Sequence, residues 1–238
     1  MDNIIKSCTP QAPKGVIYGA PGVGKTTFAA GAANALILDC ENGAGNIPCE
    51  RTPYLGKWAD IVAWLDAMEK DAHKVKVMAI DSIDWLVRRA EEHVSGAGAG
   101  KLDQTLARSH GGYGNGKQVL RNYIYADLLP RLDRINARGI AVILLGHARR
   151  VDIIDVDGIS TEKSAPDLPD DVLSTIIEWS DFVGVARKNP DGARSLTMED
   201  GPRAVAKNRY GITAPVAFDW KSFESAVVAG ISAKQKKG

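Results

Sequence analysis

The chain has 238 residues, 45% of them apolar and 25% charged, with a formal net charge of +1. This length suits a single α/β domain, residues 1–238, with a full hydrophobic core; no apolar run approaches membrane-spanning length and the N-terminus lacks a signal peptide's apolar region, so no membrane contact and a cytoplasmic location are expected. The near-neutral charge does not by itself mark a nucleic-acid binder, and Cys8, Cys40 and Cys49 form neither a disulfide framework nor a metal-ligand spacing.

Pro10 and Pro13 mark a short leader, residues 1–12, before a first strand over about 15–19. Gly19, Ala20, Pro21, Gly22, Val23, Gly24, Lys25, Thr26 and Thr27 follow that strand and precede Phe28-Ala29-Ala30, which continues as a helix. This is a complete strand–loop–helix P-loop. Its glycines free the backbone to wrap a phosphate. Lys25 is placed to reach the β/γ-phosphates of a nucleoside triphosphate, and the Thr26 hydroxyl to hold Mg²⁺.

Ala35 to Leu38 is a second central strand ending in Asp39-Cys40-Glu41, and residues 42–56 read as a connection. Trp58, Ile61, Val62, Leu65 and Met68 recur at helical spacing, which predicts a helix over 57–71. Val75 to Ile80 runs into Asp81-Ser82 as a third strand, with a helix to about residue 94. Val77 to Asp81 is a Walker B pattern: an aspartate at the end of a buried strand orients the magnesium shell without taking up core volume. Asp81 is therefore the metal-site acid, acting through water, and Ser82 a candidate for fixing the local geometry. No glutamate follows Asp81, so Glu41, just beyond the neighbouring strand, is assigned as the residue that directs water. Asp39 is the weaker alternative, and Asp84 reads as a helix-start residue.

The glycine-rich segment Ser95 to Gly116, flanked by Lys101, Arg108, His110 and Lys117, is too long for an ordinary connector and is a candidate functional loop, with plain disorder as the alternative. Val119 to Ile135 is helical, kinked near Pro130. Ile140 to Leu145 is a fourth buried strand ending at Gly146-His147, where a polar side chain can approach a γ-phosphate. Residues 148–171 show little periodicity and read as a second mobile loop carrying the basic pair Arg149-Arg150. A helix over 171–179 leads to a strand at Phe182 to Ala186. Turns at 189–192 and 199–202 separate further runs, Ala193 to Met198 and Ala204 to Lys207, as an antiparallel edge meander. A final helix over 218–229 precedes a flexible basic tail, residues 230–238. On extended backbone Lys207 and Arg209 share a face, which suits a pair that enters a neighbouring subunit's γ-phosphate site.

Together these motifs resemble the RecA-like branch of P-loop ATPases over most of residues 12–210. The match rests on Gly19 to Thr27, Ile37 to Glu41, Ile80 to Ser82, Ser109 to Gly112 and Gly146-His147. The resemblance implies a mostly parallel central sheet flanked by helices, Glu41 as water activator, ATP and Mg²⁺ as ligands, and a nucleotide sensor at His147, where the family commonly has glutamine. It further implies DNA-lining loops at 95–117 and 148–170. Gly112 to Lys117 and Ala206 to Gly211 look closer to compact phage ATPases of single-strand annealing and recombination. The Lys207/Arg209 element looks like the trans-acting finger of related hexameric helicases.

The resulting expectation is a DNA-stimulated ATPase that binds single-stranded DNA and promotes annealing or strand pairing in phage recombination, in a host cytoplasm. Its implied partners are single-stranded DNA, further copies of the chain in a ring or filament with ATP at the interfaces, and a phage or host single-stranded DNA-binding protein. Lys101, Arg108, Tyr113, Lys117, Arg149 and Arg150 are the expected DNA contacts, Tyr113 by base stacking or else by packing within its own loop. A minimal helicase or translocase, and a non-hydrolysing ATP-gated assembly module, remain open alternatives.

Overall fold

A computed structural model describes residues 11–71, 74–96, 104–154, 158 and 160–235. Its centre is built from strands β1 (Lys14–Gly19), β2 (Ala35–Asp39), β4 (Val77–Asp81), the first half of β5 (Ala141–Ile154) and β7 (Phe182–Lys188), all parallel, with the short β3 (Glu50–Arg51) extending the same direction at one edge. The spatial order across the sheet is β10-β8-β7-β1-β5-β4-β2-β3, with β8 (Arg194–Thr197) and β10 (Val216–Ala217) antiparallel at the other edge. Near-continuous apolar runs such as Met78–Ile80 and Val142–Leu145 are what a sheet covered on both faces requires.

Alternation along the strands sends side chains to two cores. Val16, Tyr18, Leu38, Ile80 and Leu144 face α2 (Trp58–Lys70), α3 (Ile83–Ser95) and α6 (Asp170–Trp179), together with the helical run 115–137. Ile17, Ile37, Ala79 and Ile143 face α1 (Lys25–Ala30) and α7 (Trp220–Gln235). There Phe28 stacks on Phe218 at 4.7 Å and meets Trp220 and Phe223, each at 5.6 Å. This aromatic cluster clamps the P-loop helix to the C-terminal helix; truncating a buried phenylalanine of this kind costs about 3–5 kcal/mol.

Four sequence expectations need correction. Residues 148–154 and 160–166 are not a mobile loop: β5 continues to Ile154 and pairs antiparallel with β6 (Ser160–Pro166), from Ala148↔Pro166 to Ile154↔Ser160. The disturbance expected near Pro130 is a π-helical segment over Tyr123–Leu128, between α4 (Asn115–Asn122) and α5 (Leu129–Ala137). Pro130 lacks an N–H and crowds the carbonyl four residues back, so the irregular hydrogen bonding falls upstream of it. The edge is not a simple meander, because β9 (Lys207–Asn208) pairs with the start of β7 instead of following β8. The last helix runs to Gln235, so residues 230–235 are not a flexible tail. Among the described residues no helix is long and apolar enough to cross a membrane.

Candidate nucleotide site

β1 ends at Gly19, and Gly22 (φ 74°) and Gly24 (φ 102°) turn the chain in left-handed conformations so that α1 begins at Lys25. Gly24 has a second reason to be glycine: a Cβ there would lie 2.7 Å from Nη1 of Arg194, which reaches over the loop from β8. Lys25 is buried, with Nζ donating to the carbonyls of Gly19 (3.1 Å) and Ala20 (3.3 Å). Burial pushes its amine below the usual lysine range, opposed by the carboxylates of Asp81, Glu41 and Asp84.

Thr26 donates its hydroxyl to Asp81 Oδ2 at 2.6 Å. Burial raises the Asp81 carboxyl, and the Thr26 hydrogen bond counters this. A threonine hydroxyl beside a buried carboxylate is a hard-oxygen pair suited to Mg²⁺, which takes one or two protein oxygens and completes its shell with water and substrate phosphates. Among the described residues there is no cluster of three or more His, Cys, Asp or Glu that would make an all-protein cage, and such a site needs none.

Asp39 and Glu41 have separate tasks. Asp39 is buried, and its Oδ1 accepts the amides of Asn42 (2.7 Å) and Gly43 (3.2 Å). These bonds fix the turn that carries Glu41, while Asp39 Oδ2 is buried with no hydrogen-bond partner among the described residues and Arg51 lies 3.7 Å away. Glu41 extends towards His147, whose Nε2 lies 3.6 Å from Glu41 Oε1. On its other side His147 is held twice by Asp84: the backbone N–H donates to Oδ1 (3.1 Å) and Nδ1 lies 2.9 Å from Oδ2. With Nδ1–H given to Asp84, Nε2 faces Glu41 as an acceptor in the neutral ring and as a donor in the imidazolium.

Sequence reading missed Asp84, because an acid in the first turn of a helix is ordinary. It also missed Arg194, since nothing in a lone arginine on an edge strand points to the P-loop 170 positions earlier. The Ser82 hydroxyl is buried without a hydrogen-bond partner among the described residues and fixes nothing by that route.

Lys207 and Arg209 lie away from this site. Lys207 pairs opposite Val183 and donates to the carbonyls of Ile177 and Glu178, both at 2.8 Å, at the end of α6. Burial lowers its amine, and Arg209 adds to the effect. Arg209 is bonded to Asp181 at 2.9 Å. Val183 is level with Val16 in the sheet, three residues before the end of β1 at Gly19, roughly 10 Å along the strand. Neither cation serves its own P-loop.

The expected DNA contacts are scattered. Lys101 falls outside the described residues. Arg108 and Lys117 are exposed, and Tyr113 is fully exposed at a left-handed φ of 52°, so its ring does not pack within its own loop. Arg150 is exposed but paired with Glu162 at 2.6 Å. Arg149 is occupied, bonded to the Leu168 carbonyl (2.7 Å) and to Asp170. It forms one wall of a cavity of about 980 Å³ that also reaches His147 and Asp84.

A family model described as AAA domain matches residues 11–210. No curated protein matches the chain.

Proposed function

We propose, for a chain that belongs to the AAA domain family and whose family points to nucleotide-dependent ATPase chemistry, that ATP hydrolysis is coupled to single-stranded DNA and serves strand annealing or pairing, with ATP between copies in a ring or filament. The observation that carries the coupling is His147. One of its ring nitrogens faces Glu41, the other is held by Asp84, and its backbone continues directly into the β5–β6 arm. A change at the γ-phosphate therefore has a rigid strand through which to move Arg149 and Arg150.

In this reading ATP phosphates draw Lys25 Nζ away from the Gly19 and Ala20 carbonyls. Mg²⁺, held through Thr26 and Asp81, neutralises charge on the phosphate oxygens when bound. Glu41 orients and deprotonates the attacking water, and His147 holds Glu41 in position when its Nε2 carries a proton. Lys207 and Arg209, displaced from their own site, stabilise the developing phosphoryl charge of a neighbouring copy. Arg108, Tyr113, Lys117, Arg149 and Arg150 supply candidate DNA contacts. The compact phage recombination ATPases are the resemblance that favours annealing over unwinding.

The test is ATP turnover with and without single-stranded DNA, for wild type and Glu41→Gln. DNA should stimulate wild-type turnover, and the variant should lose about 10²–10⁴-fold in kcat while still binding ATP. Turnover that survives in Glu41→Gln removes the assignment of the water activator. Wild-type turnover indifferent to DNA removes the coupling.

A further inference from the structure

A second cleft, of about 470 Å³, opens on the arm and is separate from the nucleotide site. Its charged lining is Arg149, Arg150, Lys163, Arg187 and Arg203 against the single acid Glu162. Pairing then sorts these cations. Arg149 is bonded to Asp170, Arg150 to Glu162, and Lys163 to Asp200 at 3.2 Å. Arg187 and Arg203 have no acidic partner among the described residues, and both are exposed. The positive surplus therefore comes from two side chains that the chain brings together from β7 and from the turn after β8.

The floor beneath them is rigid. Ser164 of β6 accepts the amide of Val205 at 2.8 Å and donates its own to the Arg203 carbonyl at 3.0 Å. The buried Tyr18 hydroxyl lies 2.8 Å from the carbonyls of both Ser164 and Val205. Arg187 is fixed by its place in the β7–β8 ladder opposite Ser195. Two unpaired guanidiniums on a locked backbone, in a concavity the size of a small-ligand pocket, are built for phosphate groups.

We infer that this cleft is where the sugar-phosphate backbone of a single nucleic-acid strand sits, with Arg187 and Arg203 as its principal phosphate contacts; the inference rests on the DNA-coupled reading above and locates it. Arg150 forms one wall of the cleft and lies three residues beyond His147 on β5, so occupancy of the cleft and the state of the nucleotide site share one strand. A free phosphate ion offers the same chemistry and is the rival ligand.

The experiment is fluorescence anisotropy of a labelled oligo-dT strand against salt, with ATP turnover measured on the same preparations. Each phosphate neutralised on a single strand contributes about 0.7 to the slope of log K against log salt. Arg187→Ala/Arg203→Ala should flatten the wild-type slope by about 1.4, and Arg187→Lys/Arg203→Lys should restore most of it. Both side chains are exposed and neither makes a side-chain hydrogen bond or ion pair among the described residues, so basal turnover without DNA should be unchanged. Wild-type affinity and slope in the alanine variant overturn the cleft while leaving the DNA reading standing. A wild type that binds no strand, yet turns over ATP, overturns both. Inorganic phosphate that binds wild type but not Arg187→Ala/Arg203→Ala, with strand affinity unchanged between them, assigns the cleft to the free ion and overturns the strand.

Discussion

Two cavities flank the middle of β5 and share Arg149 as a wall, yet they carry opposite charge. The larger is lined by Asp84, Glu91, Asp167, Asp170 and Asp171 against Arg88, Lys117 and Arg149. The smaller has five cations and one acid. Arg149 does not decide either balance, because its guanidinium is spent on the Leu168 carbonyl and Asp170. A conspicuous arginine pair in the sequence thus marks the border between two environments, while in the smaller cavity the cations without an acidic partner among the described residues are Arg187 and Arg203. Pairing, rather than the presence of a basic side chain, determines which surface can take a polyanion.

The acidic cavity meets the nucleotide site at Asp84, and the largest effect expected from this comparison tests that junction. Asp84→Ala removes both bonds to His147 and lets the ring leave Glu41. It should lower kcat for ATP about 10–100-fold, as a misplacement of roughly 1 Å near the reacting atoms does, with KM little changed because Asp84 makes no hydrogen bond to the P-loop. Asp84→Asn keeps the shape, can still accept the His147 amide, and should recover part of the loss. Steady-state kinetics on both variants distinguish this positioning role from simple destabilisation: a structural defect would lower the unfolding midpoint of both and show no recovery in kcat. Equal kcat in wild type and Asp84→Ala would leave the acidic cavity with no link to hydrolysis.

Much of the nucleotide end was legible because its chemistry is written locally. Gly19 to Thr27 sits between a strand and a helix, and Asp81 and Glu41 each follow an apolar run that has to be central in the sheet. The arm was not legible. Residues 148–154 and 160–164 alternate mostly between exposed and half-buried positions, with burial reached at Ala165 and Pro166, so no continuous apolar run announces a strand, and charged residues there resemble a loop. The end of α7 misled for a related reason: Trp220, Phe223 and Val227 are buried, while the last two turns carry small residues and the exposed Lys234, which look like the start of a tail. Arg194 over Gly24, and Arg187 beside Arg203, are products of topology. Sequence separation conceals such pairs, and only the sheet order brings them together.

The floor of the basic cleft gives the next test. Burial pushes the Tyr18 phenol upward, so its hydroxyl stays protonated and its single proton is shared between the Ser164 and Val205 carbonyls. Tyr18→Phe leaves the Val205 carbonyl short of that donor, whereas Ser164 keeps the Val205 amide. The expected loss is about 1–3 kcal/mol in urea unfolding, with strand affinity reduced in parallel as the cleft loosens. Unfolding that shifts while strand binding does not would separate the rigidity of this floor from recognition.

The smallest effect concerns the shared wall itself. Asp170 is 89% exposed, so its bond to Arg149 contributes about 0–1 kcal/mol. Asp170→Ala nevertheless removes the acid that draws the guanidinium towards the larger cavity. If Arg149 then turns to the cleft, the salt dependence of oligo-dT binding should steepen by about 0.7, with affinity rising by up to about fivefold. An unchanged slope would mean that the Leu168 carbonyl and Asp167, 3.8 Å from Arg149 Nε, keep Arg149 facing away. Arg149 would then belong to the acidic cavity only, and the phosphate-binding surface would begin at Arg150 on the arm.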